Sequence, residues 1–123
     1  MKKIIILVVI ILILAGLYKY ISYQPIAQVT DDNADLIIYW GEGCPHCEKV
    51  KEYISTNKLD QKIKISLKEV YHNQQNLQSL EDTVKKCPEV DIQQGIGVPL
   101  AFDTKNQKCL SGDQPIIDWF VAR

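Results

Sequence analysis

The sequence predicts an α/β domain with the element order βαβαββα, preceded by an N-terminal transmembrane helix. Two observations lead to this prediction: the first 23 residues are almost entirely apolar, and strand-like and helix-like segments alternate from residue 35 onward. A chain of 123 residues then leaves room for one domain of about 100 residues. We expect three regions, which are a membrane anchor or uncleaved signal at 1–23, a polar linker at 24–34 and a single domain at 35–123.

The N-terminal segment begins with two lysines and then runs without a charge from Ile4 to Leu17. As a helix this uncharged run spans only about 21 Å, less than the ~30 Å hydrocarbon core of a bilayer. Extension to Tyr23 reaches that thickness if Lys19 snorkels to the interface. A cleaved secretory signal is the alternative. With the lysines inside, residues 24–123 are expected outside the membrane, on the periplasmic or cell-surface side.

The charge of the remaining chain argues against nucleic acid as a partner. Eleven basic and fifteen acidic residues follow residue 23, which gives this part a net charge of −4. Nucleic-acid binding depends on clustered Lys and Arg side chains. No such cluster stands out here.

The first strand and the first helix of the domain enclose a dithiol motif. A continuous apolar run, Leu36–Trp40, has the length and composition of a strand buried on both faces. A glycine-containing turn at 41–43 follows, and apolar residues at helical spacing then continue to about residue 56. Pro45 suits the first helical position, where its missing N–H has no intrahelical partner.

Cys44-Pro45-His46-Cys47 is the motif that carries chemistry. The free backbone N–H groups and the dipole at a helix N-terminus stabilise negative charge, so Cys44 is the predicted nucleophile. Cys47, one turn further along, is the predicted resolving thiol that attacks a mixed disulfide. His46 adds a cationic or hydrogen-bonding neighbour that tunes the thiolate.

The other elements follow from periodicity and turn residues. They are a strand at 62–68, a helix at about 74–86, two short strands at 98–102 and 107–110, and a final helix with Pro115 in its first turn. In the second strand, Ile63, Ile65 and Leu67 alternate with Lys62, Lys64, Ser66 and Lys68. This pattern is typical of a strand with one solvated face or of a strand at the edge of the sheet. Asp113 is the candidate cap of the final helix.

This element order, with the dithiol after the first strand and Val98-Pro99 opening the third, resembles the thioredoxin fold in its short, glutaredoxin-like form. The resemblance covers residues 35–123. It implies a mixed four-stranded sheet with flanking helices, a cis Pro99 that packs against the dithiol, and a Val98 backbone that hydrogen-bonds a bound peptide. The motif itself is similar to that of DsbA-like periplasmic oxidases, although this chain has no room for their helical insertion.

Three further residues have two interpretations each. Trp40 is either a substrate-binding aromatic or a large residue that closes the strand end. Cys87 and Cys109 are either joined in a structural disulfide, which would contribute about 3 kcal/mol, or remain buried apolar thiols. Zinc is disfavoured, because a structural zinc site needs four ligands in paired clusters and these two cysteines are isolated in sequence.

These observations predict a membrane-anchored, extracytoplasmic thiol-disulfide oxidoreductase that acts on the thiols or disulfides of proteins. It would attach to the membrane through its N-terminal helix and exchange electrons with a membrane redox partner. No bound cofactor is expected. Two alternatives stay open, which are a glutaredoxin-like reductase with glutathione as co-substrate and a non-catalytic binding module stapled by two disulfides.

Overall fold

The computed structural model describes residues 1–22, 29–93 and 95–123. The predicted linker at 24–34 therefore lies partly outside the described residues, as does Tyr23. The helices are α1 (Lys2–Ser22), α2 (Pro45–Thr56), α3 (Gln74–Val84) and α4 (Asp113–Val121). The strands are β1 (Leu36–Trp40), β2 (Ile65–Glu69), β3 (Leu100–Asp103) and β4 (Lys108–Ser111). Two short 3₁₀ segments lie at Asp31–Asn33 and Leu59–Gln61.

The strands form one mixed four-stranded sheet in the order β2-β1-β3-β4. Strand β1 is parallel to β2 and antiparallel to β3, and β3 is antiparallel to β4. Leu36 is opposite Ile65 of β2 and Asp103 of β3, so β1 has a hydrogen-bonded neighbour on each side. This central position explains why β1 reads as an unbroken apolar run, and its bounds are those predicted from sequence.

The two faces of the sheet carry separate apolar clusters. Because side chains alternate between the faces of a strand, Ile37 and Tyr39 of β1 belong to one cluster and Leu36 and Ile38 to the other. Helix α3 covers the first face, and α2 and α4 cover the second. The helical side chains that fill the two clusters are Leu80 and Val84 on α3, Val50 and Ile54 on α2, and Ile116 and Phe120 on α4.

The expected faces of β2 are wrong at two positions. Leu67, expected inside, is 47% exposed, whereas Ser66, expected outside, is only 8% exposed. The physical reason is that β2 is an edge strand whose polar face is covered by the 3₁₀ segment. Ser66 Oγ donates to Asp31 Oδ1 at 3.1 Å, and the Lys68 ammonium pairs with the same carboxylate. Polar partners therefore cover the face that alternation assigns to solvent.

The prediction of an N-terminal membrane span is wrong. Within the residues that the structure describes, none of the helices is both long enough and apolar enough to cross a bilayer. The expected transmembrane helix and signal anchor, the attachment to a membrane and the single-pass localisation are all contradicted. The membrane redox partner, which was inferred because a protein that cycles by exchange needs one, has no support in the described residues.

Asp103 ties the β3–β4 turn to the end of α4. Its carboxylate accepts hydrogen bonds from the backbone N–H groups of Lys105 and Asn106, from Trp119 Nε1 at 2.6 Å and from Arg123 at 3.3 Å. Burial acts to raise the pKa of this carboxyl, but these donors outweigh it and the pKa lies below its ordinary value. The charge of Asp103 thus fixes α4 against the sheet.

Candidate active site

Cys44 and Cys47 stand at the N-terminus of α2 and are joined by a disulfide, with their Cα atoms 5.2 Å apart. Cys44 is the N-cap residue: the backbone N–H of Cys47 donates to Cys44 Sγ at 3.2 Å. Cys44 is 9% exposed and Cys47 is fully buried. A hydrogen bond to sulfur, added to the positive end of a helix, favours the thiolate of Cys44 once the disulfide is opened.

The segment that precedes β3 lies against this sulfur. The peptide bond between Val98 and Pro99 is cis, as the resemblance implied, and the proline ring is buried. The carbonyl oxygen of Val98 is 3.6 Å from Cys44 Sγ. The carbonyl of Pro99 in turn accepts the N–H of Gly112 at 2.9 Å, which brings the start of α4 to the same place. Three chain segments distant in sequence therefore meet beside the Cys44 sulfur.

His46 is partnered by an acidic residue that the sequence assigned to another role. Asp113 Oδ2 lies 3.2 Å from His46 Nδ1 and 3.3 Å from Lys49 Nζ. The hydrogen bond from His46 is the main cause that lowers the pKa of the Asp113 carboxyl to about 2, with Lys49 contributing. The cap of α4 is Gly112, at φ 94°, and Asp113 makes no capping bond. The expectation that Asp113 caps this helix is wrong.

A shallow groove of about 200 Å³ opens between these segments. It is bordered by His46 on one side, by the backbone of 97–99 in the middle and by residues 111–113 at the start of α4. Val98, one of the residues that border the groove, has its carbonyl oxygen 3.6 Å from Cys44 Sγ. A partner chain that reaches the sulfur would contact Val98, Pro99 and the ring of His46.

Trp40 is not among the residues that border this groove. It is partly buried at the end of β1, and the ammonium of Lys51 lies 4.0 Å from the centroid of its ring. Lys51 also pairs with Glu48 at 3.0 Å. The structure thus places Trp40 under the exposed surface of α2, away from the groove beside Cys44.

Residues after β2 support the turn that precedes Cys44, and sequence reasoning missed them. The Glu69 carboxylate accepts three backbone N–H groups, from Glu42 at 3.3 Å, Tyr71 at 2.8 Å and His72 at 2.9 Å. The ring of Tyr71 packs on Gly41 so closely that a Cβ there would lie 2.3 Å from it. Only tertiary structure brings this loop to the dithiol, so no local signal could have found it.

The second pair of cysteines lies in the apolar cluster covered by α3. Cys87 and Cys109 are both buried and form a disulfide, with their Cα atoms 5.8 Å apart and a sequence separation of 22. The N–H of Cys109 donates to Glu89 Oε1 at 2.9 Å. The disulfide links the segment after α3 to β4. Both of its cysteines are buried, so neither sulfur is open to a partner chain.

Comparison with protein-family models, with curated proteins and with solved structures finds no match to this chain. Within the described ranges, no three His, Cys, Asp or Glu side chains come together as ligands for a metal ion. The chemistry of the site therefore has to be argued from its own geometry.

Proposed function

We propose that the protein is a thiol-disulfide oxidoreductase that acts on protein substrates by dithiol–disulfide exchange, in a short form of the thioredoxin fold. The observation that carries the proposal is the position of Cys44 Sγ, which caps α2, accepts the N–H of Cys47 and lies 3.6 Å from the carbonyl of Val98, a residue that borders a groove. Such surroundings stabilise a sulfur anion where a partner can reach it. A disulfide whose only role is to stabilise the fold does not need surroundings that stabilise a sulfur anion.

The exchange proceeds in two balanced steps. In the reduced protein, the Cys44 thiolate attacks one sulfur of a substrate disulfide, forms a mixed disulfide and releases the other substrate sulfur as a thiolate. Cys47 then loses its proton to solvent and attacks Cys44 Sγ, which closes the internal disulfide and releases the second substrate thiolate. Two electrons pass from the protein to the substrate. The reverse sequence oxidises a substrate dithiol.

The stabilised thiolate biases the direction of this exchange. Each pKa unit by which the thiolate is favoured contributes about 1.4 kcal/mol to the reduced form, equivalent to roughly 30 mV for a two-electron couple. A protein whose reduced form is stabilised in this way passes its disulfide to partners. Oxidation of substrate dithiols is therefore the favoured direction, and the protein would be reoxidised by a disulfide donor.

Trapping with the Cys47→Ser variant tests the nucleophile. Without a resolving thiol, Cys44 and an unfolded substrate protein should remain linked as a mixed disulfide that is visible by non-reducing electrophoresis and mass spectrometry. Cys44→Ser should trap nothing. The matched control is Cys87→Ala/Cys109→Ala, which removes the other pair and should retain exchange at the rate of the unaltered protein.

Two further measurements test the redox bias and the thiolate. The Cys44–Cys47 pair is equilibrated with glutathione buffers, and the reduced protein is alkylated across a range of pH. We expect a reactive thiolate with a midpoint well below ~8.5, the value of an ordinary thiol. A Cys44 that reacts like an ordinary thiol and traps no substrate would favour the stapled binding module. A Cys47→Ser variant that still reduces a glutathionylated peptide would favour the glutathione-dependent reductase.

A further inference from the structure

Asp113 pairs with two basic side chains on the first turns of α2, His46 and Lys49. It lies at the first position of α4, where the positive end of a helix favours a carboxylate. Its side chain is 22% exposed, whereas those of His46 and Lys49 are 63% and 61% exposed. The carboxylate is therefore the fixed member of the cluster, and the two basic side chains reach toward it from the solvent side.

The other charged groups around the start of α2 are paired elsewhere. Lys51 pairs with Glu48 and lies over Trp40, and Glu42 lies 3.2 Å from His72 on the loop after β2. On α4, Asp118 accepts a hydrogen bond from Gln114 at 2.8 Å. The side chains of His46 and Lys49 are thus the basic groups whose position Asp113 governs.

We infer that Asp113 is a positioning residue of the redox site, which draws His46 and Lys49 to the α4 side of the groove and so limits the positive charge that stabilises the Cys44 thiolate. This inference rests on the proposed function. It assigns to Asp113 control over how strongly the pair oxidises. With the carboxylate in place, the thiolate depends mainly on the Cys47 N–H and the N-terminus of α2.

The direction of the effect follows from charge alone. Loss of a negative charge near an anion makes the anion easier to form. Asp113→Asn should therefore favour the Cys44 thiolate and the reduced pair by roughly two- to fivefold, the range that one charge near a helix end contributes.

The experiment measures two quantities on the full chain and on Asp113→Asn. The first is the thiolate midpoint of Cys44, followed by ultraviolet absorbance of the reduced protein across pH. The second is the dithiol–disulfide equilibrium in mercaptoethanol and its disulfide, a buffer chosen because it is uncharged and does not itself respond to Asp113. The matched control is Asp118→Asn, a charge loss of the same kind on the same helix but away from the groove.

We expect Asp113→Asn to lower the thiolate midpoint and to shift the equilibrium toward the dithiol, with Asp118→Asn unchanged. Equal behaviour of the two variants, or a raised midpoint in Asp113→Asn, would overturn the inference. These results are separable from failure of the proposed function, in which the unaltered protein itself would show an ordinary Cys44 thiol.

Lys49→Met keeps the inference testable if Asp113→Asn does not fold. In the otherwise unaltered chain, Lys49 is held by Asp113, so its loss should change the thiolate equilibrium by less than about twofold, as for an exposed ion pair. A single Lys49→Met variant that destabilises the thiolate by fivefold or more would contradict the holding role of Asp113.

Discussion

The two disulfides of this protein are chemically the same bond in different surroundings. Cys44–Cys47 lies at a helix N-terminus beside a groove, and its outer sulfur accepts a backbone N–H. Cys87–Cys109 is enclosed in the apolar cluster under α3, with Leu100 and Phe102 in the same cluster. The first pair has a backbone donor and a helix N-terminus at its outer sulfur, and the second has mainly apolar neighbours. We propose that these surroundings, rather than the bond itself, separate an exchange site from a structural disulfide.

The two faces of the sheet are also held together differently. On the face covered by α2 and α4, polar contacts run from Asp113 to α2 beside the dithiol, and from Asp103 to the far end of α4. The region under α3 is maintained by a covalent bond and apolar packing. We expect the contacts of Asp113 and Asp103 to weaken when charges are removed or the pH is changed. We expect the Cys87–Cys109 link to be lost only by reduction.

Removal of the Cys87–Cys109 disulfide should have the largest effect on stability. In the chain-entropy description, a disulfide that closes a loop of this length contributes about 3 kcal/mol, compared with ~2 kcal/mol for the short loop at 44–47. Cys87→Ala/Cys109→Ala should therefore lower the free energy of unfolding more than Cys44→Ser/Cys47→Ala does, as measured by urea denaturation. A larger loss from the 44–47 pair would remove the distinction between staple and exchange site.

Loss of the Asp103 carboxylate should cause the second largest decrease in the free energy of unfolding. Asp103→Ala leaves Trp119 Nε1 and the N–H groups of the β3–β4 turn without their acceptor, which should cost about 2 kcal/mol. Urea denaturation measures the loss, and Asp118→Ala on the exposed side of α4 is the control, expected to change little. An equal response of the two variants would mean that α4 is held by apolar packing alone.

Protonation of Asp113 in acid should produce the smallest of the three effects. The pKa of Asp113 in the folded protein, about 2, lies below its ordinary value of 3.8. Its contribution to stability is therefore complete above pH 3.8 and is lost as the pH falls towards 2. Asp113→Asn should be less stable than the unaltered protein near neutral pH and equally stable near pH 2, as followed by urea midpoints. A constant difference across this range would show that the two variants differ for a reason other than this charge.

Local sequence patterns predicted the parts of the fold that depend on neighbouring residues. The apolar run at β1, the proline after Cys44 and the spacing of apolar residues in α2 each carry their own signal. The same patterns failed at β2, where burial of Ser66 depends on Asp31 from an earlier segment. They also failed for the N-terminal segment, whose apolar composition indicated a span that the described residues do not contain.

Within the candidate site, local sequence patterns identified only the two cysteines, Cys44 and Cys47. The roles of Cys44 and Cys47 follow from spacing and from the helix that they begin, and they stay predictions until exchange is measured. The partner of His46 could not be found in this way, because Asp113 lies on the last helix and reaches α2 only when the sheet is assembled. Pairing of Cys87 with Cys109 was left open for the same reason, since sequence does not give the distance between two cysteines.

The contact between Tyr71 and Gly41 restricts which substitutions the turn before Cys44 can accept. The aromatic ring occupies the volume in which any other side chain at position 41 would begin. Positions 41 and 71 therefore form one mutational unit: a larger residue at the first requires a smaller one at the second, or a ring turned out into solvent. Natural variation or a combinatorial library should show the two positions changing together, although they belong to different loops.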